Sequence, residues 1–313
     1  MRVLSVSGGG YQGLFAALNL KRFEDEYGPL HDAFDAFVGT SVGGIIAAAA
    51  SVGMPMKEVV EVFEREGERI FSSRPPPNGM AATLRDVSRH MWNAKYDGQV
   101  LAVFLRTYCR DMKFSDLKKP LMVTATRMRD GAPILFTPQT HPETLLREAV
   151  LASAAAPMIL PPVKVDGDLF ADGALFANCP DALALEYAVH ELGADVRDLR
   201  ILGMGSMNQS PPLHEPENSN MGIIAWTAKN RIFRTLISAQ AAQAEQSVRL
   251  VLGEAYVRID ATPDESQTSV IGLDVATPEA RVAIKQASLD VASKLRHAVE
   301  HLFPEFSGEG FRP

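Results

Sequence analysis

The sequence predicts an α/β fold, a three-layer α/β/α sandwich around a mostly parallel central sheet. Short runs rich in β-branched residues alternate along the chain with longer amphipathic or apolar stretches. Such alternation is typical of a parallel sheet with helices on both faces. The chain has 313 residues, 46% of them hydrophobic and 22% charged, so it is long enough to bury such a sheet.

The individual elements follow from the same patterns. The runs typical of strands are RVLSV, DAFVG, LMVTAT, PILFTP, DLFA and LRILGMG, at residues 2–6, 35–39, 121–126, 133–138, 168–171 and 199–205. The stretches typical of helices lie at residues 14–28, 41–53, 141–154 and 277–302. We expect the last to be one long helix, with Thr277 as its N-cap and Pro278 in its first turn.

Two proline-rich segments interrupt the alternation, SSRPPPNG at 72–79 and NQSPPLHEPENSN at 208–220. Proline and turn residues of this kind predict loops. Because no change in composition accompanies either segment, we expect a single domain over residues 1–313. Residues 72–98 and 206–235 are then predicted to be lid or access segments of that domain.

Composition excludes several classes of protein. The formal net charge is −7, which gives no basic footprint for a nucleic-acid polymer. The first residues lack the apolar core of a signal peptide, and the longest apolar stretch, GGIIAAAASVGM, is shorter than the ~20 residues that span a bilayer. Two cysteines are too few for a disulfide framework. We therefore expect a cytoplasmic protein, with peripheral contact at the inner membrane face left open.

A candidate nucleophile lies in the pentapeptide Gly39-Thr40-Ser41-Val42-Gly43, which matches G-x-S-x-G. A predicted strand precedes it and a predicted helix follows, which is the context that a nucleophile elbow requires. The elbow glycines remove the side chains that would clash at so sharp a turn. The alternative is a closely packed strand–helix turn with a structural serine.

A serine nucleophile needs a base, which is a histidine in most hydrolases. The seven histidines are His31, His90, His141, His190, His214, His297 and His301. None lies in a glycine-rich turn after a strand, and His214, in the second proline-rich segment, is the best placed. Asp172 is the alternative, because it precedes Gly173 directly after DLFA, and desolvation in a cleft would raise its pKa. Asp166 and Asp130, each also followed by glycine, are rivals, since Asp-Gly is common in plain turns.

Three glycines at residues 8–10 follow the first strand and precede the first predicted helix. Bare backbone beside a helix N-terminus can bind an anion. That anion is either a bound phosphate or a charge that develops during a reaction. The phosphate alternative is weak, because no G-K-[ST] follows and no acidic residue closes a second strand where a dinucleotide fold requires one.

Taken in order, the segments SGGGYQG, GTSVG, ASAAAP and DGALFANCP resemble the marks of patatin-like phospholipases, over residues 1 to about 205. The resemblance implies an α/β/α fold related to the catalytic domain of cytosolic phospholipase A2. It also implies acyl-ester hydrolysis by a serine and an aspartate, without histidine, metal or cofactor. On this chain Ser41 becomes the nucleophile and Asp172 the base, while Gly8, Gly9 and Gly10 become the oxyanion loop. The chain departs from the family at residue 12, where a glutamine stands in place of the usual arginine.

The resemblance also implies partners. The substrate is a phospholipid at the membrane surface, and residues 80–95 and 221–236 carry Trp, Met and Ile among basic residues, as a docking segment would. Some bacterial members of the family are effectors of antiphage defence, signalled by cyclic nucleotides. Lys229, Arg231 and Arg234 are the candidate contacts for such an activator. An acyltransferase, a catalytically inactive lipid- or nucleotide-binding module, and a homo-oligomer all stay open.

Overall fold

The central sheet contains eight strands in the part of the chain described by the computed structural model, which comprises residues 1–71, 94–207, 226 and 231–306. The strands are β1 Arg2–Val6, β2 Ala36–Thr40, β3 Leu121–Arg127, β4 Pro133–Phe136, β5 Val163–Val165, β6 Asp168–Asp172, β7 Arg200–Met204 and β8 Tyr256–Ile259. They lie in the order β5-β6-β3-β2-β1-β7-β8, and β4 pairs with β3 outside that path. The pairs β3–β2, β2–β1, β1–β7 and β7–β8 are parallel. The pairs β3–β4, β3–β6 and β5–β6 are antiparallel.

Helices cover both faces of this sheet. In chain order they are α1 Gly13–Tyr27, α2 Leu30–Ala33, α3 Val42–Ser51, α4 Met56–Ile70, α5 Gln99–Cys109, α6 Leu146–Ser153, α7 Ala174–Ala177, α8 Asp181–Glu186, α9 Arg231–Leu252, α10 Glu265–Val270, α11 Pro278–Asp290 and α12 Ala292–Leu302. Side chains alternate across each strand, so Leu4 and Phe37 join the larger core with α1, α3 and α4. Val3 and Val38 face the opposite way, against α8 and α9. The predicted three-layer α/β/α architecture with a mostly parallel sheet is confirmed.

The C-terminal helix differs from its prediction. Two helices, α11 and α12, replace the single helix expected over 277–302, with a break at Val291. The break lets α11 pack on α1 while α12 packs beside β7 and β8. The predicted start is confirmed, because the Thr277 side chain accepts a hydrogen bond from the N–H of Ala280 and Pro278 occupies the first turn.

Several further elements were not predicted correctly, and three of them matter most for the site and its surroundings. The helix expected over 141–154 begins only at Leu146. Strand β8 was not predicted, although it closes one side of the sheet. Helix α9 was not predicted either, and its first turn falls within the segment expected to be a lid. Most of the two predicted lid segments, residues 72–93 and 208–225, lies outside the described residues, and so does Trp92.

Candidate active site

Ser41 occupies the sharp turn between β2 and α3, with a φ of 56° and a ψ of −130°. This left-handed φ is strained for a residue with a side chain, at a typical cost of about 1–3 kcal/mol. The turn also depends on its two glycines. A Cβ on Gly39 would overlap the carbonyl of Gly43, and a Cβ on Gly43 would overlap the carbonyl of Val6. The N–H of Ser41 donates to Ser153 Oγ at 2.8 Å, and this bond fixes the backbone of the elbow to α6.

The ends of β2 and β6 bring Ser41 and Asp172 together. β2 runs parallel to β3, and its last residue, Thr40, pairs with Thr124. β6 runs antiparallel to β3, and its last residue, Asp172, pairs with the next position, Ala125. Because β4 occupies the other edge of β3, β2 and β6 meet head to head on one edge. The residue that follows β2 therefore lies beside the residue that ends β6.

Asp172 is almost completely buried, with 2% of its surface exposed. Its Oδ1 accepts a hydrogen bond from the N–H of Ala174 at 2.7 Å, and the neighbouring Ser41 side chain stabilises the ionised form. Burial raises the pKa of this carboxyl from 3.8 to about 7, and the bonds from Ala174 and Ser41 oppose the rise. A carboxylate of that basicity can accept a hydroxyl proton near neutral pH. Ser41 and Asp172 form the candidate dyad.

The glycine loop that follows β1 lies directly against the elbow. A Cβ on Gly8 would come within 3.0 Å of the Ser41 Cβ, so only glycine fits there. The N–H of Gly8 donates to the Asn178 carbonyl at 3.0 Å and is therefore not available to a ligand. Within the described part of the chain, the N–H groups of Gly9 and Gly10 have no acceptor. Of the three predicted oxyanion-loop glycines, Gly9 and Gly10 are thus the candidate donors, and Gly8 provides the close approach.

The far side of the loop rests on the C-terminal part of the chain. Gly10 has a φ of 56°, and a Cβ there would overlap the carbonyl of Leu273. The same carbonyl accepts the N–H of Tyr11 at 2.7 Å. The Tyr11 ring is buried, and its hydroxyl accepts from Arg281 Nε at 3.1 Å. The loop conformation therefore depends on residues well beyond the segment that carries the sequence marks.

Gln12, the departure from the family pattern, is buried and donates to the Met207 carbonyl at 3.4 Å. A buried cation beside the loop comes instead from β8. Arg258 is 4% exposed and its guanidinium donates to the Ser7 hydroxyl, just before the glycines, at 3.0 Å. Arg258 and Ser206, which also contacts the loop, were missed by the sequence analysis. Asn178 lies inside the motif DGALFANCP, so that signal was available but its role was not recognised.

The other candidate bases lie elsewhere. His90 and His214 are outside the described residues, and none of the five described histidines hydrogen-bonds to the candidate dyad. Asp130 is exposed and ion-paired with Arg127, which holds the pKa of its carboxyl at about 2. Asp166 lies in the turn between β5 and β6, where it accepts a hydrogen bond from a threonine. Both of these aspartates are turn residues.

A mostly apolar cavity of about 150 Å³ shares one wall residue with the surroundings of Asp172. Its wall includes Ala155, whose carbonyl accepts the N–H of Asp172 at 3.0 Å. The apolar lining residues are Ala102, Leu151, Ala155, Leu160, Pro161 and Val163. A cavity of this chemistry suits part of a hydrocarbon chain.

Two further features concern metals and membranes. Within residues 1–71, 94–207 and 231–306, no group of three or more His, Cys, Asp or Glu side chains is arranged to hold a metal ion. In the same ranges, no helix combines the length and the apolar character that a membrane crossing requires.

Comparison with known proteins places these features in a family. The sequence model of the family described as "Patatin-like phospholipase" matches residues 4–185. A protein named cGAMP-activated phospholipase from Pseudomonas aeruginosa (strain BWHPSA011 / Pa011) is 32% identical over 277 residues, which cover 85% of this chain and 80% of that protein. A protein of the same name from Vibrio cholerae serotype O1 is 28% identical over 312 residues, covering 88% and 86%.

A solved structure supports the architecture. VipD from Legionella pneumophila superposes with a TM-score of 0.51 over 94% of this chain and 67% of its own, at 13% identity. A likeness at this level of identity concerns the fold alone. The family match, in contrast, covers more than half of the chain and includes the glycine loop, the elbow of Ser41 and Asp172. This chain therefore belongs to the patatin-like phospholipase family.

Proposed function

We propose that this protein is a serine acyl hydrolase that cleaves the acyl esters of membrane phospholipids through Ser41 and Asp172. Its family is one of carboxylic ester hydrolases of the phospholipase class. One observation carries the proposal for the residues. A serine in a strained elbow adjoins a buried carboxyl whose pKa is raised to about 7. Acyl transfer needs a nucleophile beside a base whose pKa lies near the operating pH.

The first half-reaction forms an acyl-enzyme. The Asp172 carboxylate accepts the Ser41 hydroxyl proton while Oγ bonds to the ester carbonyl carbon, and the carbonyl electron pair moves onto its oxygen. The N–H groups of Gly9 and Gly10 stabilise this oxyanion, and losing one such donor typically costs about 10²–10³ in rate. When the intermediate collapses, the ester C–O bond breaks, and Asp172 returns the proton to the leaving alcohol.

The second half-reaction releases the fatty acid. Asp172, again ionised, accepts a proton from a water molecule whose oxygen attacks the acyl carbon. The same N–H groups stabilise the second oxyanion. Its collapse breaks the bond to Oγ, and Asp172 returns the proton to Ser41, so the dyad ends as it began.

Hydrolysis of defined phospholipid vesicles by purified variants tests the proposal. Ser41→Ala and Asp172→Asn should each abolish fatty acid release, measured by mass spectrometry. The circular dichroism spectrum of each variant should match that of the wild type. A fluorophosphonate probe should label Ser41, with loss of labelling in Ser41→Ala. His214→Ala should leave the rate nearly unchanged. A loss equal to that of Ser41→Ala would replace the dyad by a triad, and labelling of another serine would contradict the elbow assignment.

The same assay separates the two alternatives. An acyltransferase shares the acyl-enzyme and would pass the acyl group to an added alcohol in preference to water. An inactive binding module would show neither a covalent adduct nor a product. We expect free fatty acid as the main product, because the proposed second half-reaction needs only water.

We infer in addition that the protein acts from the membrane surface. On α9, the side chains of Ile232 and Leu236 are 49% and 54% exposed, and Trp226 shortly before it is 38% exposed. In the Ser41→Ala background, addition of anionic vesicles should shift the emission of Trp226 to the blue. Trp226→Ala should lower hydrolysis of vesicles more than hydrolysis of a soluble short-chain ester. Equal losses on both substrates, without an emission shift, would contradict membrane docking through this segment.

The names of the two bacterial relatives support a further step, activation by a cyclic nucleotide. Of the three candidate contacts, Lys229 lies outside the described residues and Arg234 is half-buried. We expect cGAMP to raise the rate of Ser41-dependent hydrolysis, whereas the linear dinucleotide should not. A rate that neither cGAMP nor other cyclic dinucleotides change would show that this chain is not activated in that way.

A further inference from the structure

The peptide group that joins Gly8 to Gly9 is held by side chains from two distant parts of the chain. The Gly8 carbonyl accepts hydrogen bonds from Ser206 Oγ and, at 3.4 Å, from Asn178 Nδ2. The N–H of Gly8 donates to the Asn178 carbonyl at 3.0 Å. Ser206 is fully buried and Asn178 is 4% exposed, so both act away from solvent. Gly8 is therefore fixed on its N–H side and on its carbonyl side.

Fixing the Gly8 carbonyl also fixes the N–H of Gly9. In a planar trans peptide the carbonyl of one residue and the N–H of the next point in opposite directions. Because the carbonyl is directed towards Ser206, the N–H of Gly9 must point away from it. The loop lies against the elbow, since a Cβ on Gly8 would come within 3.0 Å of the Ser41 Cβ. Rotation of this one peptide would remove Gly9 from the candidate oxyanion hole without any change in Ser41.

A buried ion pair connects the Ser206 segment to the start of the glycine loop. Arg258 Nη2 donates to Ser7 Oγ and to an Asp260 carboxylate oxygen, each at 3.0 Å. The other oxygen of Asp260 accepts the N–H of Met207, the residue after Ser206, at 2.9 Å. Arg258 thus connects the residue before Gly8 to the residue after Ser206.

A second carboxylate also pairs with this arginine. Asp181 is fully buried and accepts from Arg258 Nη1 at 2.9 Å, and also from the hydroxyls of Ser5 and Tyr256 at 2.6 and 2.5 Å. Ser5 and Ser7 lie on the same face of the extended chain, because side chains alternate along a strand. The group therefore supports the end of β1, where the glycine loop begins.

We propose that Ser206, held in place by the Arg258–Asp260 pair, is a positioning residue for the oxyanion hole. Its hydroxyl sets the orientation of the Gly8–Gly9 peptide, and through it the direction of the Gly9 N–H. The inference rests on the proposed hydrolase function. It assigns a catalytic consequence to residues that touch neither the substrate nor the candidate dyad.

Ser206→Ala tests the proposal, with Ser51→Ala as the matched control. Ser51 is also a buried serine whose hydroxyl donates to a backbone carbonyl, that of Ala48 at 2.9 Å, but it lies at the far end of α3 from the elbow. A misplacement of about 1 Å can cost about 10²-fold in rate, so we expect Ser206→Ala to lower kcat for a soluble ester by roughly 10- to 100-fold. KM should change little, because the oxyanion exists only in the transition state.

A tetrahedral analogue gives an independent measurement. A trifluoromethyl ketone adds to Ser41 and places an oxyanion in the hole, so its affinity for Ser206→Ala should fall by the same factor as kcat/KM. The pH midpoint of kcat/KM should stay that of the wild type, because Asp172 is unaffected. Ser51→Ala should match the wild type in all three readouts. If Ser206→Ala does not fold, Ser206→Cys, which keeps the size but has a weaker donor, is read by the same measurements.

The outcomes separate this inference from the proposed function. Hydrolysis that persists in Ser41→Ala would overturn the function, and the positioning role with it. Ser41-dependent hydrolysis with an unchanged kcat in the Ser206 variant would overturn the positioning role alone. A rise in KM at constant kcat would also overturn it, because a lost oxyanion donor acts on the transition state.

Discussion

Replacing Asp172 by asparagine should stabilise the protein at alkaline pH while it removes the base. The carboxyl is buried, and its pKa rises from 3.8 to about 7, chiefly through desolvation. Between these two values the folded protein keeps a proton that the unfolded chain has already lost. Stability therefore falls as the pH rises through this window, and the loss is complete above the folded pKa. An asparagine has no charge to bury and escapes that loss.

The size of the effect follows from the two pKa values. Each pH unit in the window corresponds to about 1.4 kcal/mol, so the full difference is about 4 kcal/mol. The asparagine can keep the hydrogen bond from the Ala174 N–H, which Asp172 accepts at 2.7 Å. Its amide can donate to Ser41 in place of the bond that it no longer accepts. Little should therefore be subtracted from the electrostatic gain.

Guanidinium unfolding of the wild type and Asp172→Asn from pH 4 to pH 8.5 measures this difference. The free energy of unfolding of the variant, relative to the wild type, should rise by about 1.4 kcal/mol per pH unit up to pH 7 and then level off. Phospholipid hydrolysis, assayed on the same samples, should be abolished at every pH.

Asp130→Asn provides the control with the opposite sign. Arg127 holds the pKa of Asp130 at about 2, so the ionised form contributes stability that is present above the unfolded pKa and lost as the pH falls towards the folded one. This variant should be less stable than the wild type at neutral pH. A difference between Asp172→Asn and the wild type that does not vary with pH would refute the desolvated carboxyl, and so would a variant that is less stable at pH 8.

Three further predictions concern the reaction and the elbow. The kcat/KM for a soluble ester should rise with pH about tenfold per unit below pH 7 and level off above it, because Asp172 acts as a base only when ionised; a rate independent of pH from 5 to 8 would contradict this role. Gly43→Ala should abolish hydrolysis and lower the melting temperature, since its Cβ would overlap the Val6 carbonyl, whereas Gly44→Ala, whose Cβ would meet Val123 at 3.3 Å, should keep most activity; equal effects would count against the elbow geometry. EDTA should leave the rate unchanged, because a serine nucleophile needs no metal-bound water; loss of activity that calcium restores would contradict this.

The parts of the fold that the sequence predicted well depend on local patterns. The strand before Ser41 and the helix after it are contiguous in the chain, and the two glycines that the turn needs are within two residues of the serine. The same holds for the N-cap at Thr277, where the side chain and the N–H that donates to it, that of Ala280, are three residues apart. Such features follow from side-chain periodicity and steric demands that a short window contains.

The parts that were missed depend on contacts between distant residues. β8 carries Arg258, and a charged residue in a four-residue run is typical of an exposed segment. Its burial is stabilised by Asp181, which is 77 residues away, and no local pattern announces such a pair. Ser206 and Asn178 hold the glycine loop through its backbone, and the carbonyl of Gly8 has no sequence signal.

In the proposed mechanism, the head-to-head strands let an aspartate take the place that histidine has in many hydrolases. A free imidazole has a pKa of about 6.5, and a free aspartate about 3.9. Antiparallel β6 ends on the edge of β3 where β2 ends, which buries Asp172 against Ser41 and raises its pKa to about 7. Desolvation thus raises the pKa of this carboxyl to near that of a free imidazole, as the proposed dyad requires. The same desolvation destabilises the folded protein once the carboxyl ionises. The stability that Asp172→Asn regains should therefore equal the free energy cost of burying the ionised carboxylate.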